Sequence, residues 1–287
     1  MLTICIWVQF AAAMLLFGGG LFRLLLGEAA AAIDAALVRW LRGAAVVACL
    51  SALGWLLLES ANMGNGWPDA VNPASVAAVL RETEFGHVWI ARLGLVLFLL
   101  AVALAPASRC AFRFGTGFAA LFLASLALTG HAVMNAGVAV LLHPLNQAVH
   151  LLAGGAWIGA LLPLWLCLRR GRGGDERLTH LAVRRFARLG YAAVALVLAS
   201  GFVNVWFLVG SLHALEGTFY GHLLLVKLAL VAAMLALAVL NRVRLAPRLA
   251  AGDMARLWLK RSVTAEILFA ICILAAASFL GASAPAL

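Results

Sequence analysis

The sequence predicts an all-α, polytopic transmembrane helical bundle of about eight spans. Of the 287 residues, 66% are hydrophobic and only 11% are charged, whereas a soluble domain carries about 25% charged residues. Apolar runs of roughly 20 residues recur along the whole chain, which is the length that a helix needs to cross hydrocarbon. The alternation of apolar and polar residues that a transmembrane barrel requires is absent from the sequence.

The first four spans follow from the apolar runs in the first half of the chain. The first has no basic flank and is too long for a signal peptide, so it counts as a span. The second closes at Glu59 and precedes a turn-rich segment, NMGNGWPDAVNP. The third begins at His87 and the fourth ends near His131. The expected bounds are 4–26, 41–59, 87–105 and 111–130.

The last four spans lie between polar and basic segments. The fifth precedes the basic link RRGRGGDER, and the seventh ends at Asn241. The expected bounds are 146–168, 186–210, 219–240 and 261–283. Glycines at 18–20, 154, 155 and 159 predict close helix contacts within the membrane. The eight spans together predict a single integral membrane domain over residues 1–287.

The basic residues indicate how this domain is oriented. Links two, four and six contain one Lys or Arg between them, Arg81, and nearly all the others border links one, three, five and seven. The positive-inside rule therefore places the odd links in the cytoplasm and both termini on the periplasmic side. Because topology accounts for the net charge of +10, we expect no nucleic-acid partner.

Sequence motifs give no indication of an enzyme. The chain contains no GxxxxGK[ST], GxSxG or HExxH motif and no dense carboxylate cluster. Its five cysteines form no CxxC pair and are scattered over different spans, which is typical of residues that fill helix contacts. We therefore expect no catalytic residues.

The histidines are distributed unevenly in this topology. Six of the seven fall on the outer side, and they are His87, His131, His143, His150, His213 and His222. Pro144 suits the first position of a helix, which makes His143 the preceding residue. His150 would then lie roughly 10 Å deeper at 1.5 Å per residue, on one stripe with Asn146 and Trp157.

A second group of potential ligands lies at the end of the fourth span. His131, Met134 and Asn135 share a face if the helix continues past Gly130. An imidazole beside a thioether favours copper, because Met is a soft ligand that selects Cu(I). We therefore predict a metal site with the ligands His87, His131, Met134, His143 and His150. The residues expected behind them or along a path inward are Asn135, Asn146, Trp157, His222 and Lys227.

Haem is the alternative occupant of this histidine-rich face. Helical bundles hold haem with axial histidines, and His87, His131, His150 and His222 could supply such a pair. The chain would then be a membrane cytochrome that carries electrons. A carrier of two haems usually needs histidines at both membrane faces, and the inner face has only His180.

Four segments of the sequence resemble the copper resistance protein D (CopD) family, most clearly over residues 143–283. They are HLLAGGAWIGALLPL (150–164), SGFVNVWFLVG (200–210), YGHLLLVKLALV (220–231) and RSVTAE (261–266). The resemblance implies a bacterial inner-membrane protein that binds Cu(I) or Cu(II). It also implies that copper is taken from a periplasmic CopC-type carrier protein and moved toward the cytoplasm.

A third interpretation is a membrane docking protein for the copper carrier that does not itself transport copper. Such a protein would need the surface residues His143 and His213. It would not need His150 or Lys227, which lie at membrane depth.

Overall fold

The computed structural model describes residues 1–129, 139–170, 176–208 and 217–283. Within these residues the chain forms ten α-helices and no strand. The helices are α1 (Leu2–Leu26), α2 (Ala31–Met63), α3 (Trp67–Ala70), α4 (Pro73–Glu82), α5 (Glu84–Leu104), α6 (Arg109–Ala124), α7 (Ala139–Arg170), α8 (Glu176–Leu208), α9 (Phe219–Leu240) and α10 (Asp253–Ala282). A 3₁₀ turn, Ser125–Leu128, extends α6, and a π-helical turn, Asn241–Leu245, follows α9.

The described helices confirm the predicted polytopic bundle. Seven stretches are long and apolar enough to cross a membrane, and the first of them, Leu2–Met63, contains both α1 and α2. Gly27, with a φ of 60°, ends α1, a left-handed conformation that favours glycine. α2 then returns antiparallel to α1, because Gln9 contacts Ser51 while Arg23 forms a 2.7 Å ion pair with Asp34.

Hydroxyl side chains fix the first turn of three helices that cross the membrane. Thr83, Ser108 and Thr218 precede α5, α6 and α9, and each accepts a hydrogen bond from a backbone N–H in the first turn, at 2.9, 3.1 and 3.0 Å. Such caps satisfy donors that have no partner within the helix. These three helix starts therefore follow from local sequence as well as from hydropathy.

α7 lies at the centre of the bundle and packs against α1, α2, α6, α8 and α10. Its contact with α1 depends on glycine. A methyl group on Gly159 would overlap the Met14 carbonyl oxygen and lie 2.9 Å from the Gly18 Cα. Only glycine lets the two backbones approach this closely, as the glycine spacing predicts.

The links with most of the basic residues meet at one end of the bundle, which we call the basic face. Arg42 donates to the Ala103 carbonyl at 2.9 Å, and Arg109 pairs with Glu28 at 2.6 Å. Lys260 lies 5.6 Å from the centroid of the Trp165 ring, near the end of α7. The sequence-based grouping of the odd links is therefore present in the fold.

The predicted helix start at Pro144 is wrong. α7 is already helical at Ala139, so Pro144 lies inside it. Proline in a helix removes one backbone hydrogen bond, and the helix continues through it here. As a result His143 belongs to α7, not to a link, and is 2% exposed.

Candidate functional site

α7 and α8 pack side by side and antiparallel, and their facing sides carry polar residues far from the basic face. Residue numbers that increase along α7 face residue numbers that decrease by the same amount along α8. His143 stacks on Phe207, with ring centroids 4.6 Å apart and planes at 13°. Asn146 reaches Asn204, and His150 reaches Ser200. This register brings polar side chains of the two helices together over two helical turns.

Five of these residues form a hydrogen-bonded strip that we call the polar seam, namely Asn146, Gln147, His150, Ser200 and Asn204. Asn146 Nδ2 donates to Asn204 Oδ1 at 2.8 Å and to the Ser200 carbonyl at 2.9 Å. Asn204 Nδ2 donates to Gln147 Oε1 at 2.7 Å. Buried polar groups are costly unless they are paired, and these amides satisfy one another across the helix interface.

The Ser200 hydroxyl lies beside Nδ1 of His150 and supports one assignment of the ring proton. Ser200 Oγ donates its one hydrogen to the Leu196 carbonyl at 2.5 Å. It lies 3.0 Å from His150 Nδ1, and we assign the ring proton to Nδ1, because the hydroxyl then accepts there while it donates to the carbonyl. The lone pair of a neutral imidazole then lies on Nε2. A histidine held by its other nitrogen in this way is the usual arrangement for a metal ligand.

Two neighbours limit the space and the charge around His150. A methyl group on Gly201 would lie 3.4 Å from the His150 Cε1 atom, so glycine leaves that edge of the ring clear. Lys227 of α9 interacts electrostatically with the imidazole. A positive charge nearby opposes a second cation, so an ion bound at His150 requires additional ligands.

The structure brings only part of the predicted ligand set into view. His131, Met134 and Asn135 lie outside the described residues. His143 and His150 share α7 but are seven residues apart, about 10 Å along the helix axis. Across the described ranges no three His, Cys, Asp or Glu side chains converge as a metal cluster would.

The other predicted residues are spread over the bundle. His87 is exposed, and its Nε2 lies 3.1 Å from the Arg81 carbonyl oxygen. Its helix, α5, packs mainly against α2, α4 and α6. His222 is exposed in the first turn of α9, and Trp157 is buried in the apolar core below His150.

Sequence reasoning missed three members of the polar seam, namely Gln147, Ser200 and Asn204. A signal for two of them was present. Ser200 and Asn204 are four residues apart in an apolar helix, the same spacing as Asn146 and His150 on the preceding helix. Residues four apart share a helix face, so two polar pairs of equal spacing on consecutive spans indicate a shared interface.

Comparison with known proteins establishes the family. Residues 1–141 match the family model for the copper resistance protein D-like N-terminal domain, and residues 180–280 match that for copper resistance protein D. The chain is 31% identical to copper resistance protein D of Pseudomonas syringae pv. tomato over 256 residues, covering 82% of this chain and 80% of that protein. The chain belongs to the copper resistance protein D family. Three of the four segments named above, those at 200–210, 220–231 and 261–266, lie within the second family model.

Two further relatives of this copper resistance protein D family member are informative. It is 35% identical to the inner membrane protein YebZ of Escherichia coli (strain K12) over 246 residues, 85% of this chain and 83% of that protein. It is also 35% identical to the copper transport protein CutJ of Bacillus subtilis (strain 168) over 209 residues, 67% of this chain but 38% of CutJ. No solved structure matches the chain. The chain is therefore a multi-pass inner-membrane protein of a copper-handling family.

Proposed function

We propose that this protein captures a copper ion at the end of the bundle opposite the basic face and imports it toward the cytoplasm. The observation that carries the proposal is the hydrogen bond between His150 Nδ1 and Ser200 Oγ, which leaves Nε2 as a metal-binding lone pair. The copper resistance and copper transport proteins among the relatives support the choice of metal. Copper is the transported substrate in this proposal, as Cu(I) or Cu(II).

The proposed ligands are those expected from the sequence. His131, Met134, His143 and His150 capture the ion at this end of the bundle, and His87 assists at the surface. Asn146 orients His150 indirectly, because it holds the Ser200 carbonyl and Asn204 in place. Asn135 acts in the same way beside Met134, and Trp157, His222 and Lys227 shape the path inward.

The proposed orientation and partner follow from the charge distribution. The basic face lies in the cytoplasm by the positive-inside rule, so the polar seam opens toward the periplasm and both termini lie there. A periplasmic CopC-type carrier protein delivers copper to this end. The few Lys and Arg residues in the outer links leave the surface near His143 without the positive charge that would repel a copper-loaded donor.

The first test compares copper binding by the purified protein and two variants. His150→Ala removes the proposed ligand, whereas His180→Ala removes an exposed histidine at the other end of the bundle. We expect near-stoichiometric copper in the wild type and in His180→Ala, and a loss of at least tenfold in affinity in His150→Ala. The visible spectrum of the same samples should contain no haem Soret band.

Each other outcome has a definite meaning. Equal copper content in all three proteins would contradict the site. A Soret band that disappears in His150→Ala would identify haem as the occupant, and electron transfer would replace transport. Normal copper uptake by cells that express His150→Ala, with binding lost in the purified protein, would point to a docking role without transport.

A further inference from the structure

A buried carboxyl group lies at the opposite end of the bundle from the polar seam. Glu266 of α10 is 1% exposed. Its Oε1 accepts a hydrogen bond from Nδ2 of Asn241, the first residue of the π-helical turn that follows α9. π-helical turns are rare and occur frequently at functional sites. The proposed copper site uses neither residue.

Glu266 has no cationic partner in the described part of the chain, although it lies near the basic face. The basic residues on the elements packed against it are engaged elsewhere or exposed. Two of them form ion pairs, Arg256 with Asp253 and Arg23 with Asp34. Four contact aromatic side chains: Arg242 donates to the Tyr191 hydroxyl at 3.0 Å, Lys260 and Arg169 lie over Trp165, and Arg261 lies over Trp258. Arg244 and Arg248 are exposed. An ionised carboxylate without a partner in a low-dielectric interior costs several kcal/mol. The surroundings of Glu266 therefore do not suit a carboxylate.

Three oxygen atoms at this position have no hydrogen-bond partner in the described structure. They are Glu266 Oε2, Asn241 Oδ1 and Ser262 Oγ, and all three atoms are buried. Ser262 precedes Glu266 by four residues and so shares its helix face. The Ser262 hydroxyl can donate as well as accept, whereas Asn241 Oδ1 can only accept, and an ionised Glu266 supplies no donor to it.

We propose that Glu266 and Asn241 form a proton-binding site. A proton on Glu266 Oε2 makes it a donor to Asn241 Oδ1, while Asn241 Nδ2 donates to Glu266 Oε1. The carboxylic acid and the amide then form a closed pair with two hydrogen bonds, and one proton satisfies Glu266 Oε2 and Asn241 Oδ1. A hard metal cation such as Ca²⁺ takes six to eight oxygen ligands, and only three unpaired oxygens are available here. A proton therefore fits this site better than such a metal ion.

The position of the pair makes its proton exchangeable. Asn241 is adjacent to Arg242, which is exposed near the basic face, so in this proposal the carboxyl group exchanges its proton with water at that face. The proton comes from this water and returns to it, which leaves a carboxylate when it departs. The site is thus a buried acid that communicates with one side of the membrane.

Infrared spectroscopy of the full-length protein at neutral pH tests this directly. A protonated carboxyl group has a carbonyl band that is distinct from carboxylate bands and shifts in D₂O. We expect such a band in the wild type, shifted by ¹³C-labelled glutamate and unaffected by ¹³C-labelled aspartate. This labelling uses the wild type alone, so it does not depend on whether a variant folds.

Two variants assign the band to a residue. Glu266→Gln should remove it and retain the fold, because the glutamine NH₂ can donate to Asn241 Oδ1 as the protonated acid does. Glu28→Gln is the control, since Glu28 is exposed and paired with Arg109, and it should leave the band unchanged. Absence of the band, or its persistence in Glu266→Gln, would overturn the proposal. Replacement of the band by a carboxylate band when sodium replaces choline in the buffer would also overturn it and identify a metal cation as the occupant.

Discussion

Replacing Ser200 by alanine tests whether the polar seam prepares His150 for copper. Ser200 Oγ is the acceptor for the Nδ1–H of His150 at 3.0 Å. Alanine removes this partner and leaves the imidazole with the Val197 backbone as its other hydrogen-bond partner, so the net contribution of one hydrogen bond, about 0.5–1.5 kcal/mol, is lost. The imidazole can recover that cost by rotating or by moving its proton to Nε2, and either change removes the metal-binding lone pair from its place.

The size of the effect follows from the same contact. Loss of a group that orients a metal ligand lowers metal affinity about 10–100-fold. At 1.4 kcal/mol per tenfold change this corresponds to about 1.4–2.8 kcal/mol, so its lower end equals the loss of one hydrogen bond and the rest would come from the displaced imidazole. We therefore expect Ser200→Ala to weaken copper binding by one to two orders of magnitude and Ser200→Thr, which keeps the hydroxyl, to remain within about threefold of the wild type.

The assay is a competition titration of the detergent-solubilised protein against a chromophoric copper chelator. Ser278→Ala is a matched control, because Ser278 is also buried and its Oγ donates to the carbonyl four residues earlier, Leu274, at 2.8 Å. It lies on α10, apart from the polar seam. Equal copper affinity in Ser200→Ala and the wild type would refute the reasoning. An equal loss in Ser200→Ala and Ser278→Ala would refute it as well, since the effect would then be general to buried serines.

Two further predictions concern the fold. Gly159→Ala should lower the melting temperature in detergent, because its methyl group would overlap the Met14 carbonyl oxygen and such overpacking costs about 1–3 kcal/mol. The control is Gly154→Ala, whose methyl group would meet the flexible end of Met14 at 3.6 Å and which should melt within a degree or two of the wild type. Equal melting temperatures of the two variants would contradict the predicted contact. The backbone N–H of Asn65 and the Ser75 hydroxyl lower the pKa of Asp69, in the link between α2 and α4. Because the pKa of Asp69 is lower in the folded state, its carboxylate stabilises the link at any pH above the unfolded pKa of about 4. This stabilisation is lost as the pH falls through the pKa of the folded state. Hydrogen exchange over residues 64–75, corrected for the intrinsic pH effect, should therefore increase on acidification below about pH 4 in the wild type but show no such step in Asp69→Asn.

Hydropathy was sufficient to predict a helix at each of the eight apolar runs, and the caps seen in the structure explain where some of these helices begin. The span predicted at 219–240 coincides with α9, because an apolar run there lies between a threonine cap and a polar end. Bilayer thickness sets the length of such runs, and cap chemistry acts within one turn. Both signals are local, so they can be read from a single sequence.

The start of α7 and the polar seam could not be predicted in the same way. Pro144 is compatible with a first helical position, and nothing in the local sequence shows that the helix continues outward to Ala139. The role of Ser200 and Asn204 depends on the register between α7 and α8, which places them opposite His150 and Asn146. Hydropathy gives the depth of a residue in the membrane, whereas it does not specify which helix faces lie together.

The packing below His150 constrains how copper can be imported. Trp157, Leu161 and Leu164 continue the α7 face beneath it, and all three are buried in the apolar core. A bare ion in such surroundings lacks the ligands that would offset its desolvation, which costs several kcal/mol. The described conformation is therefore closed toward the basic face.

The proposed import would require that α7 separate from one of its neighbours. The glycine contact leaves little freedom between α1 and α7, whereas the contact between α7 and α8 is held by side-chain hydrogen bonds of the polar seam that water or a ligand can replace. Copper bound at His150 would draw on the same side chains that hold this interface closed. A ligand shifts a conformational equilibrium by its difference in affinity for the two states. Since His150 is held in place by Ser200 of the opposite helix, copper affinity and the opening of this interface must depend on each other, and a variant that loosens the seam should change both.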